Sequence, residues 1–394
     1  MERVEIRVKR RVPDRLRCER YKKGPELGPK ALFFSGGSAL RDLASTIIGY
    51  THNSIHVITP FDSGGSSAEL RRAFSMPAVG DIRNRLVALA DRGVRGNPGI
   101  CNLFSYRLAN KSPAPVLRRE LESMISGTHP LMARICEPAS GIIRHHLEIF
   151  VSAMPIEFDL RGASIGNLII TGGYLEYQRQ LEPVIHLYSR LAEVRGMVRP
   201  VVGEDLHLAA ELEDGSVIAG QHRITGKGCK PPDRPIRRVF LTRGLEDPVP
   251  VEDVHISEDL RELISGADLI CFPMGSFFTS LTPNLLPRGV AEAVAEAHCP
   301  KVYVPSTFSD PETKGLSLMD QVRYIADLLS TPGKGKKVFD FLLMDLKKGR
   351  YEGELDQDWL DGHGVTVLDL PVAAPTAPHR IEPKALAEAL LSLC

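Results

Sequence analysis

Two glycine-rich turns about 28 residues apart constrain this chain more than any other feature: Phe33-Phe34-Ser35-Gly36-Gly37-Ser38 and Asp62-Ser63-Gly64-Gly65-Ser66-Ser67. Each follows an apolar run, Ala31 to Phe34 and Ser54 to Thr59, and each precedes a segment with helical spacing. Strand, glycine turn and helix in alternation mean a parallel sheet. Glycines let the backbone turn sharply and come close to a ligand, and a helix starting near Ala39 aims its unpaired N–H groups there, which is how a fold holds phosphate. The second turn adds Asp62. Its carboxylate could hold a divalent cation beside an anion, or it could serve as a helix N-cap or turn former.

The rest of the chain continues the pattern with interruptions. Helices are predicted over Leu40–Tyr50 and Ala68–Phe74 and from Asp81. Residues 92–160 lack clear strands and hold helix-like segments, Pro115 to Ile125 and Ile142 to Val151, so they are read as a helical insertion. A helix near Ser164–Arg179 follows. Residues 196–240 read as a β-rich insertion with Glu213-Asp214-Gly215-Ser216 as a hairpin turn. The parallel pattern is then expected to resume with Arg238–Leu241, Ala267–Phe272, Lys301–Val304, Val338–Leu343 and Val365–Leu370, and a last helix covers Ile381–Leu391. The expected fold is α/β: a doubly wound, mainly parallel Rossmann-like sheet forming a single large domain over 31–394, with a helical insertion and a small added β element. Such sheets bind ligands at the carboxyl ends of their strands, where strand order reverses. Both glycine turns and the loop Pro273–Asn284 lie at such ends.

Composition narrows the function. Formal net charge is zero, so no global field argues for nucleic acid, yet residues 1–30 hold eleven Lys/Arg against five acids. This basic N-terminal extension could guide an anion; a solvated arm or an edge strand through Val4, Ile6 and Val8 is the plainer reading. The seven cysteines, Cys18, Cys101, Cys136, Cys229, Cys271, Cys299 and Cys394, include no C-x-x-C pair, which argues against structural zinc and a disulfide framework and fits a reducing cytoplasm. No apolar stretch is long enough to span a bilayer, so neither membrane nor nucleic acid is an expected partner.

Several further segments carry candidate chemistry. In Gly80-Asp81-Ile82-Arg83-Asn84, Asp81 suits an N-cap, while Arg83 and Asn84 offer a fork and an amide for phosphate or substrate oxygens, with a structural salt bridge as the alternative for Arg83. Ser164-Ile165-Gly166-Asn167 again places an amide at a helix start. The loop Pro273-Met274-Gly275-Ser276-Phe277-Phe278-Thr279-Ser280, ending in Pro283-Asn284, is expected to surround a diphosphate with its N–H groups. His145, His146 and Glu148 cannot converge on one metal and are read as structural or lid residues. Neither the dinucleotide fingerprint nor a Walker loop nor a G-x-S-x-G elbow is present.

Taken in order, the blocks from Phe34 through Asp62–Ser67, Gly80–Asn84, Ser164–Asn167 and Met274–Leu286 resemble the CofD-like family, which includes 2-phospho-L-lactate transferase and the gluconeogenesis-factor proteins. The resemblance implies an α/β fold that binds a nucleotide diphosphate or nucleotide-sugar at its strand ends. In the transferase branch a flavin-like alcohol attacks a phosphate of lactyl-diphospho-guanosine, with magnesium assisting and GMP leaving. The other branch binds UDP-sugars and acts in cell-wall and carbon control; Ser276–Ser280, Pro283–Leu286 and the Gly80–Asn84 block look more like it. On the transferase reading Asp62 holds Mg2+, Arg83 stabilises the transferred phosphate, and Gly36, Gly37, Ser38, Ser66, Asn84, Asn167, Gly275, Ser276 and Asn284 bind nucleotide and phosphate. The alternative is a non-catalytic UDP-sugar-binding regulator. Three departures from the family pattern stand out: Gly36-Gly37-Ser38-Ala39 replaces Gly-Gly-Thr-Gly, Phe61-Asp62 replaces two adjacent acids, and Pro273-Met274-Gly275-Ser276 replaces Gly-Pro-Gly-Ser. The sequence leaves the oligomeric state open, a homodimer included.

Overall fold

A strand buried on both faces must alternate its side chains between two cores, and Ala31–Phe34 does so. Ala31 and Phe33 join one core with Leu43, Ile47 and Leu390; Leu32 and Phe34 join another with Val57, Phe272 and Leu285. The computed structural model describes residues 9–37, 39–93, 96–226, 230, 232–308, 310–333 and 338–394. Its strands in chain order are β1 (Ala31–Ser35), β2 (Ile55–Ile58), β3 (Met197–Pro200), β4 (His207–Leu212), β5 (Val217–Ala219), β6 (Ile236–Thr242), β7 (Leu269–Phe272), β8 (Lys301–Tyr303), β9 (Phe341–Met344), β10 (Thr366–Asp369), β11 (Ala373–Ala374) and β12 (Ala377–Ile381).

Seven of these form one sheet in the order β10-β9-β8-β7-β1-β2-β3, and every neighbouring pair is parallel. The chain runs outward from β1 to β3, returns to the opposite side of β1 with β7, and runs outward again to β10. The strand order therefore reverses between β1 and β7, which places the loops after these two strands on either side of the crevice where such folds bind ligands.

The structure differs from the sequence expectation in three places. Arg238–Leu241 does not resume the parallel sheet: it lies in β6, which pairs antiparallel with β4 in a separate three-stranded sheet, β5-β4-β6. The hairpin turn at Glu213–Ser216 sets β4 antiparallel to β5, and among the described residues between β5 and β6 lies the short helix Gln221–Ile224. Conversely, Met197–Pro200 is no part of the added β element; it extends the main sheet beside β2. The helices between β2 and β3 supply the crossover that parallel pairing requires. Finally, the basic segment is packed from Arg10 onward, where Arg10 Nη1 donates to Ser392 O at 3.3 Å and Asp14 N donates to Ser392 Oγ at 2.6 Å. The helix Arg15–Lys23 buries Cys18, and Arg17 Nη1 donates to Cys394 O at 2.7 Å. Residues 1–8, with Val4, Ile6 and Val8, lie outside the described residues.

Residues 92–160 hold the helices Pro98–Ser105, Ala114–Ile125 and Ala139–Ala153. They share a core with the helices Gly65–Phe74, Gly80–Leu89, Ile165–Glu176 and Leu181–Leu191, reaching the sheet at Ile58 and Val198. Within this layer Glu176, not Glu148, joins the two histidines: its carboxylate lies 3.1 Å from His145 Nε2 and 2.9 Å from His146 Nε2. Tyr188 OH is 2.6 Å from His146 Nδ1. His146 is buried, which holds its pKa below the usual imidazole value, and the group reads as a structural relay. No helix of the described residues is long and apolar enough to cross a membrane.

Candidate functional site

The two glycine turns and the loop after β7 meet at the switch point. In the first turn Gly37 has φ +40°, a left-handed backbone that an L side chain resists, and its N–H donates to Asp81 Oδ2 at 2.8 Å. A side chain on Gly36 would begin 3.1 Å from Ser280 Cβ, and one on Gly275 would begin 3.6 Å from Ala39 Cβ. So the loops after β1 and β7 touch at two points. Ser38 lies outside the described residues. Asp81 is not the N-cap the sequence suggested: the helix begins at Gly80 with Val79 before it, and Asp81 instead closes the glycine turn.

The second turn faces the same helix start. Asp62 Oδ1 accepts the Gly64 N–H at 3.1 Å. A Cβ on Gly80 would stand 2.8 Å from Ser67 Oγ, 3.5 Å from Asp62 Oδ2 and 3.9 Å from Asn167 Nδ2, so these three side chains surround one point that only glycine leaves open. Ser66 Oγ accepts the Ser164 N–H at 3.2 Å and thereby docks the start of the helix Ile165–Glu176 against the turn. Asn167 is 1% exposed, and its Oδ1 has no partner. Ser63 Oγ lies 2.8 Å from His222 Nδ1, tying the turn to the small β element.

Charged groups gather around Arg83. Arg83 is buried: Nη1 donates to Phe104 O at 2.9 Å, Nη2 donates to Asn84 Oδ1 at 2.8 Å, and Nε has no acceptor. Both fork ends are thus used inside the protein, so Arg83 braces the helical layer and Asn84 serves it. Burial pulls the Arg83 pKa down to about 10, and the nearby cations Arg107 and Arg41 push the same way while Asp81 opposes them. Arg85, which sequence reasoning missed, is buried beneath the first turn and is likewise pulled to about 10 by burial. Asp81 opposes the effect of burial on both Arg83 and Arg85 through its charge, and the Nε atoms of both have no hydrogen-bond partner. A signal for Arg85 was present, since helical spacing puts it on the same face as Ile82, Leu86 and Leu89.

The loop after β7 does not offer its N–H groups as expected. Phe277 N donates to Asp310 Oδ2 at 2.9 Å; Phe278 N and Thr279 N donate to Glu312 Oε2 at 3.1 and 3.0 Å. Thr279 Oγ1 adds a 2.6 Å bond to Glu312 Oε1. Burial, with the Asp310 charge behind it, pushes the Glu312 carboxyl up to about 7. Asn284 is fully buried and braces the site rather than facing it: its Nδ2 donates to Ser35 O and Ser280 O at 3.1 and 2.8 Å. Only the approach to Gly275 and Ser276 remains, beside a cavity of about 340 Å³ walled by Ala39, Ser306, Thr307 and the β12 residues His379–Ile381.

The family model for 2-phospho-L-lactate transferase CofD matches residues 32–373. The chain belongs to the CofD family. Among relatives, the Bacillus subtilis (strain 168) gluconeogenesis factor is 30% identical over 305 residues, covering 75% of this chain and 73% of that protein. The Halalkalibacterium halodurans gluconeogenesis factor is 28% identical over 295 residues, covering 75% and 72%. A Nostoc sp. relative is 28% identical over 339 residues, 86% of this chain and 59% of that protein, so the chain spans less than two thirds of that relative's length. A crystal structure of a UPF0052 family member from Bacillus halodurans superposes with a TM-score of 0.64 at 24% identity, covering 92% of this chain and 99% of that one. It shares the fold.

Within this CofD-family frame the metal question rests on few donors. Among the described residues no three His, Cys, Asp or Glu side chains gather as ligands. Magnesium needs fewer, because it is commonly held by one or two carboxylates plus substrate phosphates and water. The Asp62 carboxylate, whose Oδ2 reaches the opening at Gly80, fits that requirement, with the buried, unpartnered Asn167 Oδ1 on a side chain whose Nδ2 reaches the same opening.

Proposed function

We propose that the protein binds a nucleotide diphosphate at the β1/β7 switch point and moves a phosphoryl-linked group from it to a hydroxyl acceptor. The observation that carries this reading is the gathering of cations near the first turn: Asp81, whose Oδ2 accepts the Gly37 N–H, acts on both Arg83 and Arg85, and Arg41 and Arg107 act on Arg83 in turn. A site with several cations beside a glycine turn suits a polyanion.

On this reading the first turn and Gly275 approach the diphosphate, and the start of the helix Ile165–Glu176 adds its dipole. Asp62 and Asn167 would hold Mg2+, which when bound would neutralise phosphate charge and orient the donor. Ser67, beside Asp62 and Gly80, places a hydroxyl at the same opening. Arg83 acts from behind as fixed charge, since its fork is engaged with Phe104 and Asn84. The cavity at Ala39, Thr307 and His379–Ile381 adjoins Gly275 and is wide enough to take the part of the ligand beyond its phosphates.

A specific observation favours a second reading, a UDP-sugar-binding regulator without turnover. Phe61 stands where a second acid would strengthen a metal site, and it is 1% exposed in the apolar core. Phosphorus NMR with Mg2+ and a panel of guanosine and uridine diphosphate compounds separates the two. New monophosphate signals with an acceptor present establish transfer; line shifts alone over hours at high protein concentration establish the regulator. No shift with any compound refutes both.

A further inference from the structure

The small sheet β5-β4-β6, through its connections, holds the second glycine turn from two sides. On one side Arg71 Nη1 donates to Phe61 O at 3.3 Å and to Asp62 O at 3.4 Å. The same guanidinium reaches the entry to β4, where Nη2 donates to Asp205 Oδ1 and to Leu206 O at 2.7 Å each. On the other side the short helix Gln221–Ile224, which follows β5, closes on Ser63. The His222 backbone N–H donates to Ser63 Oγ at 3.2 Å, and the ring Nδ1 lies 2.8 Å from the same oxygen. Gln221 Nε2 donates to Thr279 O at 3.2 Å and so joins this helix to the loop after β7.

Two glycines make room for this clasp. Gly220 has φ +99°, and a Cβ there would stand 3.1 Å from His222 Cε1 and 3.4 Å from Ser63 Oγ. A Cβ on Gly64 would stand 3.5 Å from Asp62 Oδ1 and 3.8 Å from His222 Cβ. His222 and the Asp62 carboxylate therefore flank one glycine. The Ser63 hydroxyl is buried and carries a single hydrogen; with the His222 N–H donating to its oxygen, that hydrogen serves Nδ1. An apolar residue at 222 would fill the same space. Two contacts on one hydroxyl do more, because they fix the direction of residue 63 and, across a planar peptide, of Asp62.

We infer that His222 is a positioning residue for the Asp62 carboxylate: by clasping Ser63 it fixes the angle at which Asp62 Oδ2 meets a divalent cation at the Gly80 opening. This deepens the magnesium-assisted reading above and rests on it. His222 acts through Ser63 and touches no reacting atom. The added β element thereby belongs to the site, since the one short helix it carries sets the second turn against the loop after β7. Groups that orient a metal ligand in this way commonly govern about 10- to 100-fold in metal affinity.

Titration of the full chain with Mn2+, a paramagnetic ion that takes the same oxygen ligands as Mg2+, reads the site by electron paramagnetic resonance without turnover. Asp62→Asn is expected to abolish binding. His222→Leu and Ser63→Ala are each expected to bind about 10-fold more weakly, and the double variant also about 10-fold, because both changes remove one contact. His222→Asn, whose side-chain oxygen takes the place of Nδ1, should stay within about 3-fold of the parent. Binding by His222→Leu within about 2-fold of the parent, a double variant weakened about 100-fold, or His222→Asn as weak as His222→Leu overturns the inference. Should His222→Leu fail to fold, Ser63→Ala decides by the same limit of about 2-fold. A parent that binds no Mn2+, or an Asp62→Asn protein that binds it as the parent does, overturns the metal role of Asp62 and the inference with it. A loss confined to Asp62→Asn overturns the inference alone.

Discussion

Replacing Glu312 isolates what holds the loop after β7 in shape. Its carboxyl accepts three hydrogen bonds, from Phe278 N, Thr279 N and Thr279 Oγ1, and the side chain is 6% exposed. Glu312→Ala orphans two buried N–H groups that cannot rotate to another partner, each worth about 1–3 kcal/mol, while the Thr279 hydroxyl can turn; the expected loss at pH 5 is about 3–5 kcal/mol. Glu312→Gln keeps one carbonyl oxygen for both N–H groups, so its loss at pH 5 should be within about 1 kcal/mol. The two variants separate further with pH. A carboxyl pushed up to about 7 from its ordinary 4.5 holds its proton more tightly folded than unfolded. Stability therefore falls as pH rises from about 4.5 through about 7, and Glu312→Gln, which cannot ionise, should gain on the parent between pH 5 and pH 8. Urea unfolding at the two pH values reads all of this. An alanine loss below about 1 kcal/mol, or glutamine as damaging as alanine, would refute the reasoning that hydrogen bonds to Glu312 shape this loop.

Three other outcomes are expected. Asp62→Asn should abolish turnover of the donor that phosphorus NMR identifies while leaving its line shift on binding; unchanged turnover would remove Asp62 from the metal role. Gly80→Ala places a methyl group 2.8 Å from Ser67 Oγ, so ligand affinity should drop at least about 10-fold by titration, a loss of about 1.4 kcal/mol or more, with retained affinity showing that the opening at Gly80 is not used. Tyr188→Phe deletes the 2.6 Å contact to buried His146 and should cost about 1–2 kcal/mol in unfolding; a neutral result would mean that Glu176 alone holds the ring.

Much of the architecture was legible because strand–turn–helix alternation is local. Ala31–Phe34 and Ser54–Thr59 announced buried strands, and the turns at Gly36 and Gly64 marked where each stops. Strand pairing was less legible where the run was short. Arg238–Leu241 reads the same in a parallel or an antiparallel sheet, and only its ladder with β4 distinguishes them. Met197–Pro200 lies far from β2 in the chain, so its place beside it depends on how the intervening helices pack.

The candidate site divides the same way. Glycines, Asp62, Asn167 and the loop at Gly275 were visible from composition and order, since each sits at a strand end or helix start. What those groups bond to was not. Asp81 reads as a helix cap yet closes the Gly37 turn; Arg83 reads as a ligand fork yet braces Phe104; Asn284 reads as a ligand amide yet ties Ser35 to Ser280; and Glu312, which reads as ordinary, accepts the N–H groups expected to meet phosphate. A sequence states which donors and acceptors exist, together with the local geometry of turns and helix ends. Which donor meets which acceptor depends on contacts between residues dozens to hundreds apart, and on burial that changes the cost of every unpaired charge, so only the tertiary structure decides them.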